Sequence, residues 1–201
     1  MPKIRAATID EHKELTRGAL LDAARRLIDE AGTAEVSLGE IALSAGVGRT
    51  TLYDYFDDRD DVIASMVEDN LPDVIAELIA SIPDGLDTSA RLATLASRTV
   101  QFVATDRVFG VILHREAGRM GNEAQKRIRH SHSQLSTELA SIYKRGVTEG
   151  VFRPLPGYLA GRLIQDTIMS AARALIDDDT RLLEVTQGVE AFLLGGLRND
   201  R

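Results

Sequence analysis

The stretch Val36-Ser37-Leu38-Gly39-Glu40-Ile41-Ala42-Leu43-Ser44-Ala45-Gly46-Val47-Gly48-Arg49-Thr50-Thr51-Leu52-Tyr53-Asp54-Tyr55-Phe56 decides the fold. Its spacing predicts two short helices joined by a tight turn at Gly46. Ser37 stands where it can cap the first of them, and Glu40, three residues on, completes a capping box. Ala42 is small where the two helices cross, and Gly46 can take the left-handed conformation that the turn needs. Ile41, Val47 and Leu52 point into a small shared core. This is helix-turn-helix spacing, and such a unit lays its second helix in the major groove of DNA.

The outer face of that second helix carries Arg49, Thr50, Thr51, Tyr53 and Tyr55. Arginine suits guanine edges or phosphate, and the hydroxyls suit phosphate oxygens or bases. Aromatic residues make up only 4% of the chain, yet three of them fall within positions 53–56. Packing of an ordinary helical hairpin does not account for that clustering. Phe56 reads as core, while Tyr53 and Tyr55 keep polar tips for a partner.

Outward from this segment, helical periodicity continues. The 201 residues are 44% apolar and 27% charged, enough for a packed globular core. There is no cysteine, which excludes disulfides, thiolate zinc sites and cysteine nucleophiles and fits a reducing compartment. Apolar runs fall well short of the roughly 18 residues that a membrane helix needs, and no signal peptide is expected behind the N-terminal Met1-Pro2-Lys3. The pattern predicts an all-α chain of about nine helices. They cover about 16–31, 37–45, 49–55, 59–81 with a kink at Pro72, 87–105, 107–117, 122–149, 157–176, and from just after the acids Asp177-Asp178-Asp179, which suit a helix N-terminus, to about 197. The first dozen residues are polar and expected to fray.

Residues 1–61 resemble the DNA-binding end of the tetracycline-repressor (TetR) family of bacterial transcription regulators. Thr16-Arg17 with the amphipathic Ala19–Ala31 segment is similar to that family's first helix, and Val36 to Tyr55 to its helix-turn-helix. Phe56-Asp57-Asp58-Arg59-Asp60-Asp61-Val62 resembles its lead-in to the fourth helix, and Phe192-Leu193-Leu194-Gly195-Gly196-Leu197 its usual last helix. The specific motifs cover about 30% of the chain. The resemblance implies a DNA-binding domain at 1–61 and an effector-binding and dimerisation domain at 62–201. It implies Ser37, Arg49, Thr50, Thr51, Tyr53 and Tyr55 as DNA contacts, with Arg17 and Arg59 on flanking phosphates. The expected partners are a palindromic double-stranded operator, a small effector and a second copy of the chain, in the bacterial cytoplasm. No cofactor, metal or catalytic role is expected. The pairs His114/Glu116 and His130/His132 are two residues apart and face different sides of a helix, whereas helix-borne metal ligands want i,i+3 or i,i+4.

Charge opposes part of this picture. The net charge is −7, and residues 1–61 carry 8 Lys/Arg against 13 Asp/Glu, a net of −5. Asp54, Asp57 and Asp58 crowd the face that should meet phosphate. Weak binding to random DNA is expected, and a helical small-molecule-binding protein without operator binding stays open as the alternative.

Further along, apolar stripes suggest a ligand cavity from Phe102, Phe109, Leu113, His132, Gln165, Met169 and Arg173, although such stripes also serve as plain core. Small and apolar residues on the last two helices need cover. The dimer interface implied by the resemblance would use Gly161, Ile164, Ile168, Ala171, Val189 and Phe192. The expectation is a dimeric regulator, most simply a repressor, released by a largely apolar effector.

Overall fold

A computed structural model describes residues 9–176 and 179–199. Its described residues form ten α-helices and no strand: α1 (Ile9–Ala31), α2 (Leu38–Ser44), α3 (Arg49–Leu52), α4 (Arg59–Ala80), α5 (Thr88–Thr105), α6 (Arg107–Val111), α7 (Asn122–Ser131), α8 (Ser133–Thr148), α9 (Gly157–Leu175) and α10 (Leu182–Leu197). A π-turn at Ile112–Glu116 and a 3₁₀ turn at Ala117–Arg119 follow α6, and a second 3₁₀ turn at Asp179–Arg181 precedes α10. Asp177 and Asp178, expected just before the last helix, lie outside the described residues.

Three expectations are corrected. The first helix already runs from Ile9, where fraying was expected. The segment from 107 to 117 is α-helical only as far as Val111 and then widens into the π-turn. The long helix expected over 122–149 is two helices. His132 leaves helical geometry with φ −105° and ψ 13°, and it caps α8. The run His130-Ser131-His132-Ser133 explains the break, because serine and histidine are modest helix formers and the serine hydroxyls compete for backbone groups.

The chain divides into two compact units. One holds the residues up to Asp69 together with Val111–Ile128; the other holds Asn70–Gly110 and the residues from Arg129 on. In the first unit Leu20, Ala24 and Ile28 of α1, Ile41 of α2, Leu52 of α3 and Ile63, Met66 and Val67 of α4 are buried. The second unit is built on α5, α8, α9 and α10. Its core contains Leu92, Leu95, Val100, Leu139, Ile142, Phe152, Ile164, Ile168, Val189 and Leu193. Gly146 is required there, since a Cβ on it would stand 2.1 Å from the Phe152 ring.

That core corrects half of the expected interface. Ile164, Ile168 and Val189 are 0%, 3% and 5% exposed and fill the interior of their own unit, so they have no surface left for a second copy. Gly161 and Ala171 are half-buried, and Phe192 stands 69% exposed. Tyr158, Leu159, Leu163 and Leu183 join Phe192 as exposed apolar side chains of α9 and α10.

Candidate nucleic-acid interface

The turn between α2 and α3 forms for local reasons. The Ser37 hydroxyl accepts the Glu40 backbone N–H at 3.2 Å, and the Glu40 carboxylate accepts the Ser37 N–H at 2.9 Å. Those bonds from Ser37 hold the Glu40 carboxyl below its ordinary value. Ser37 caps through its oxygen and keeps its own O–H as a donor. Gly46 has φ +71°, which a side chain would strain, and the Val47 N–H closes the turn on the Ala42 carbonyl at 3.0 Å. Ile41, Ala42 and Leu52 are buried beneath it, while Val47 is only partly covered.

The opposite face is bare. Ser37, Arg49, Thr50 and Tyr53 are exposed, and Thr51 and Tyr55 are half-buried. The Arg49 guanidinium donates to the Tyr53 hydroxyl at 3.3 Å and lies 5.9 Å from that ring's centre. Two hydroxyls and one cation thus sit on a helix of four residues, and the Tyr53 hydroxyl joins them from its C-cap.

The flanking arginines differ from expectation. Arg17 is not a free phosphate ligand. Its guanidinium makes two hydrogen bonds to the Asp69 carboxylate and stands 5.9 Å from the centre of the Phe56 ring, joining α1 to α4. The bond to Asp69 raises its already high pKa. Arg59 is half-buried and ion-paired with Asp60 at 3.2 Å. The acids sort as well. Asp58 caps α4 by accepting the Asp61 N–H at 2.8 Å, and the Asp61 carboxylate returns the favour to the Asp57 N–H at 3.0 Å. Asp54 and Asp57 are exposed beside α3.

A group the sequence reading overlooked is Arg127 of α7. It donates to Asp61 at 2.6 Å, to the Ser65 hydroxyl at 2.8 Å and to Glu68 at 2.5 and 3.0 Å. Glu68 foremost, then Asp61, raises the Arg127 pKa against the effect of burial. At Asp61 burial works upward, but the bonds from Arg127, the Asp57 N–H and Ser65 outweigh it and hold the carboxyl below its ordinary value. The sequence does place Asp61, Ser65 and Glu68 at helical spacing on one face of α4, but nothing local in it names Arg127 as their partner.

The expected cavity residues are less coherent. Phe102 and Phe109 pack with ring centres 5.8 Å apart, and Phe109 is buried. His132, Gln165 and Met169 are half-buried, while Arg173 is exposed. Leu113 belongs to the first compact unit and the other six to the second. An open groove of about 340 Å³ between α5 and α10 is walled by Ser97, Gln101, Thr186 and Glu190 among others, and by none of the seven.

Known proteins now give this geometry a context. Residues 20–66 match the model of bacterial regulatory proteins of the tetR family, and residues 85–173 match the tetracyclin repressor-like C-terminal domain. The fatty acid metabolism regulator protein of Bacillus subtilis is 24% identical over 90% of this chain and 94% of its own length. The transcriptional repressor KstR2 of Rhodococcus jostii is 27% identical over 78% of each chain. The crystal structure of the regulator FadR from Bacillus subtilis in complex with stearoyl-CoA superposes with a TM-score of 0.75 at 23% identity, over 89% of this chain and 98% of that one. No described helix is long and apolar enough to cross a membrane. From its helix-turn-helix and from both matched segments, the chain belongs to the tetR family of bacterial regulatory proteins and is a transcription regulator, not an enzyme.

Proposed function

We propose that the protein is a repressor that binds a palindromic operator as a homodimer and is released by an effector with a long apolar portion. The observation that carries this reading is the bare donor face of α3, with Arg49, Thr50 and Tyr53 exposed over the buried Ile41, Ala42 and Leu52. Ser37, Thr51 and Tyr55 complete the DNA-contacting set, positioning on phosphate while Arg49 reads a guanine edge. Arg59 supports the α4 terminus, and Arg17 leaves the set because Asp69 holds it. The DNA-binding function belongs to 1–61 and the effector and dimerisation functions to 62–201.

Dimerisation is assigned to the exposed apolar face of α9 and α10, with Tyr158, Leu163, Leu183 and Phe192 as its large side chains and Gly161 and Ala171 at its edge. Apolar surface concentrated on two adjacent helices marks an interaction site. For the effector, a long-chain acyl-CoA is the first candidate, because a relative of the same fold binds stearoyl-CoA. Such a ligand acts by preferring the conformation that does not fit DNA.

The net −5 of residues 1–61 favours the second reading, a small-molecule-binding protein without an operator. A mobility-shift titration against the DNA upstream of its own coding sequence, with and without stearoyl-CoA, separates the two. A discrete complex that stearoyl-CoA dissolves supports the repressor reading. No complex supports the second reading, and a complex indifferent to stearoyl-CoA removes only the acyl-CoA assignment.

A further inference from the structure

We infer that Arg127 is a latch that makes the segment Val111–Ile128 and the N-terminal half of α4 move as one block, so that events on that segment and at the DNA-facing helices are energetically coupled. The inference rests on the operator-binding reading above and needs no particular effector.

Three observations carry it. First, one guanidinium reaches three side chains of α4, Asp61, Ser65 and Glu68, spread over two helical turns. A planar, forked donor that satisfies two carboxylates and a hydroxyl fixes both position and rotation of its partner, which a lysine point charge does not. Second, the same segment is fastened a second time, because the Gly121 N–H donates to Asp60 at 2.9 Å. With two attachments six residues apart on 111–128 and four partners on α4, Asp60, Asp61, Ser65 and Glu68, the pair cannot pivot about a single bond. Third, α4 is weakest directly beyond the latch. Pro72 lies inside α4 and has no N–H, so the Glu68 carbonyl lacks its helical partner. The boundary of the first compact unit falls in this same turn, between Asp69 and Asn70, and the matching boundary on α7 falls one residue beyond Arg127.

A bend in α4 therefore belongs after Glu68, while the stretch before it stays with 111–128. On the other flank Arg17 ties α1 to Asp69. The two arginines clasp the same two turns of α4 from different helices, so that a shift of 111–128 is passed to α1 and to the start of α4. Coupling between sites is reciprocal, which gives a readout free of effector: holding α2 and α3 on DNA must quieten 111–128.

The test is hydrogen exchange on the full chain, with and without an operator duplex taken from its own upstream DNA, for wild type, Arg127→Gln and Arg127→Lys. In wild type the duplex should slow exchange in α2–α3 and also in 111–128, the latter by about fivefold or more, the low end of ordinary coupling. In Arg127→Gln the slowing in α2–α3 should persist and that in 111–128 should vanish. Arg127→Lys, which keeps the charge and guards against loss of folding, should give an intermediate value. A merely structural role would instead speed exchange across the whole unit whether or not DNA is present. Equal slowing of 111–128 in wild type and variants, or slowing of α2–α3 alone in wild type, overturns the latch. No slowing of α2–α3 in wild type overturns the operator reading and the latch with it.

Discussion

Arg17 of α1 holds Asp69 of α4 through both ends of its guanidinium, across 52 residues of sequence, and rests that same group 5.9 Å from the ring centre of Phe56. A side chain that sequence similarity assigns to phosphate is thus part of the scaffold that carries the recognition helix. The two roles give different salt dependence. Arg17→Ala should destabilise the fold by about 1 kcal/mol, the scale of a partly exposed pair, seen as a lower urea midpoint. The slope of log K against log salt for operator binding should not change. Loss of a phosphate contact would instead lower that slope by about 0.9, and such a drop would return Arg17 to the interface.

Asp54 is exposed immediately beyond α3, and unlike Asp58 it caps nothing. Its carboxylate is assigned to repulsion of phosphate. Asp54→Asn should then tighten operator and random DNA by a similar factor, and the gain should shrink as salt rises. Titration of both duplexes at two salt concentrations measures this. Weaker binding to the operator alone would make Asp54 a base-reading residue, accepting from a cytosine amine.

Asp61 gives the fold an acid dependence. Its carboxyl is held below the ordinary value, so the folded state binds that proton less readily than the unfolded chain does. The stabilisation is complete above an unfolded pKa of about 3.9 and is lost as pH falls through the depressed folded value. Asp61→Asn should be less stable than wild type at pH 7, by about 1 kcal/mol for a half-exposed ion pair. The difference should close as urea midpoints are compared at pH 7, 5 and 3. A gap that stays constant down to pH 3 would show that the ionised carboxylate is not what stabilises α4.

The two apolar faces of α9 and α10 make opposite predictions. Phe192 is 69% exposed and Ile168 is in the core. On the proposed dimer, wild type should sediment as a dimer, and Phe192→Asp should leave helical content and melting near wild type while sedimenting as a monomer. Ile168→Asp should unfold the chain, because an unpaired charge cannot be buried there. A folded, dimeric Phe192→Asp protein would move the interface elsewhere.

What could be read from the sequence follows the range of the interaction. The Ser37–Glu40 box and the left-handed Gly46 are set by residues within four positions of one another, and both are present. Arg17 with Asp69 and Arg127 with Asp61 pair across 52 and 66 residues, and no local rule finds such partners. The break at His132 was hidden because the apolar spacing continues on both sides of it. For α9 the periodicity located apolar positions but could not say which side faces inward: Leu163 and Ile164 are chain neighbours, yet one is exposed and the other buried.

Whether α3 presents Arg49 to an operator read by two copies is decided by footprinting the DNA upstream of its own coding sequence with wild type and Arg49→Ala. Wild type should give two protected patches related by two-fold symmetry. Arg49→Ala should bind more weakly by about 1–3 kcal/mol, with an unchanged melting curve, since Arg49 is exposed and outside the core. A wild-type protein that protects no symmetric site and binds this DNA no better than a random duplex would contradict that role for α3.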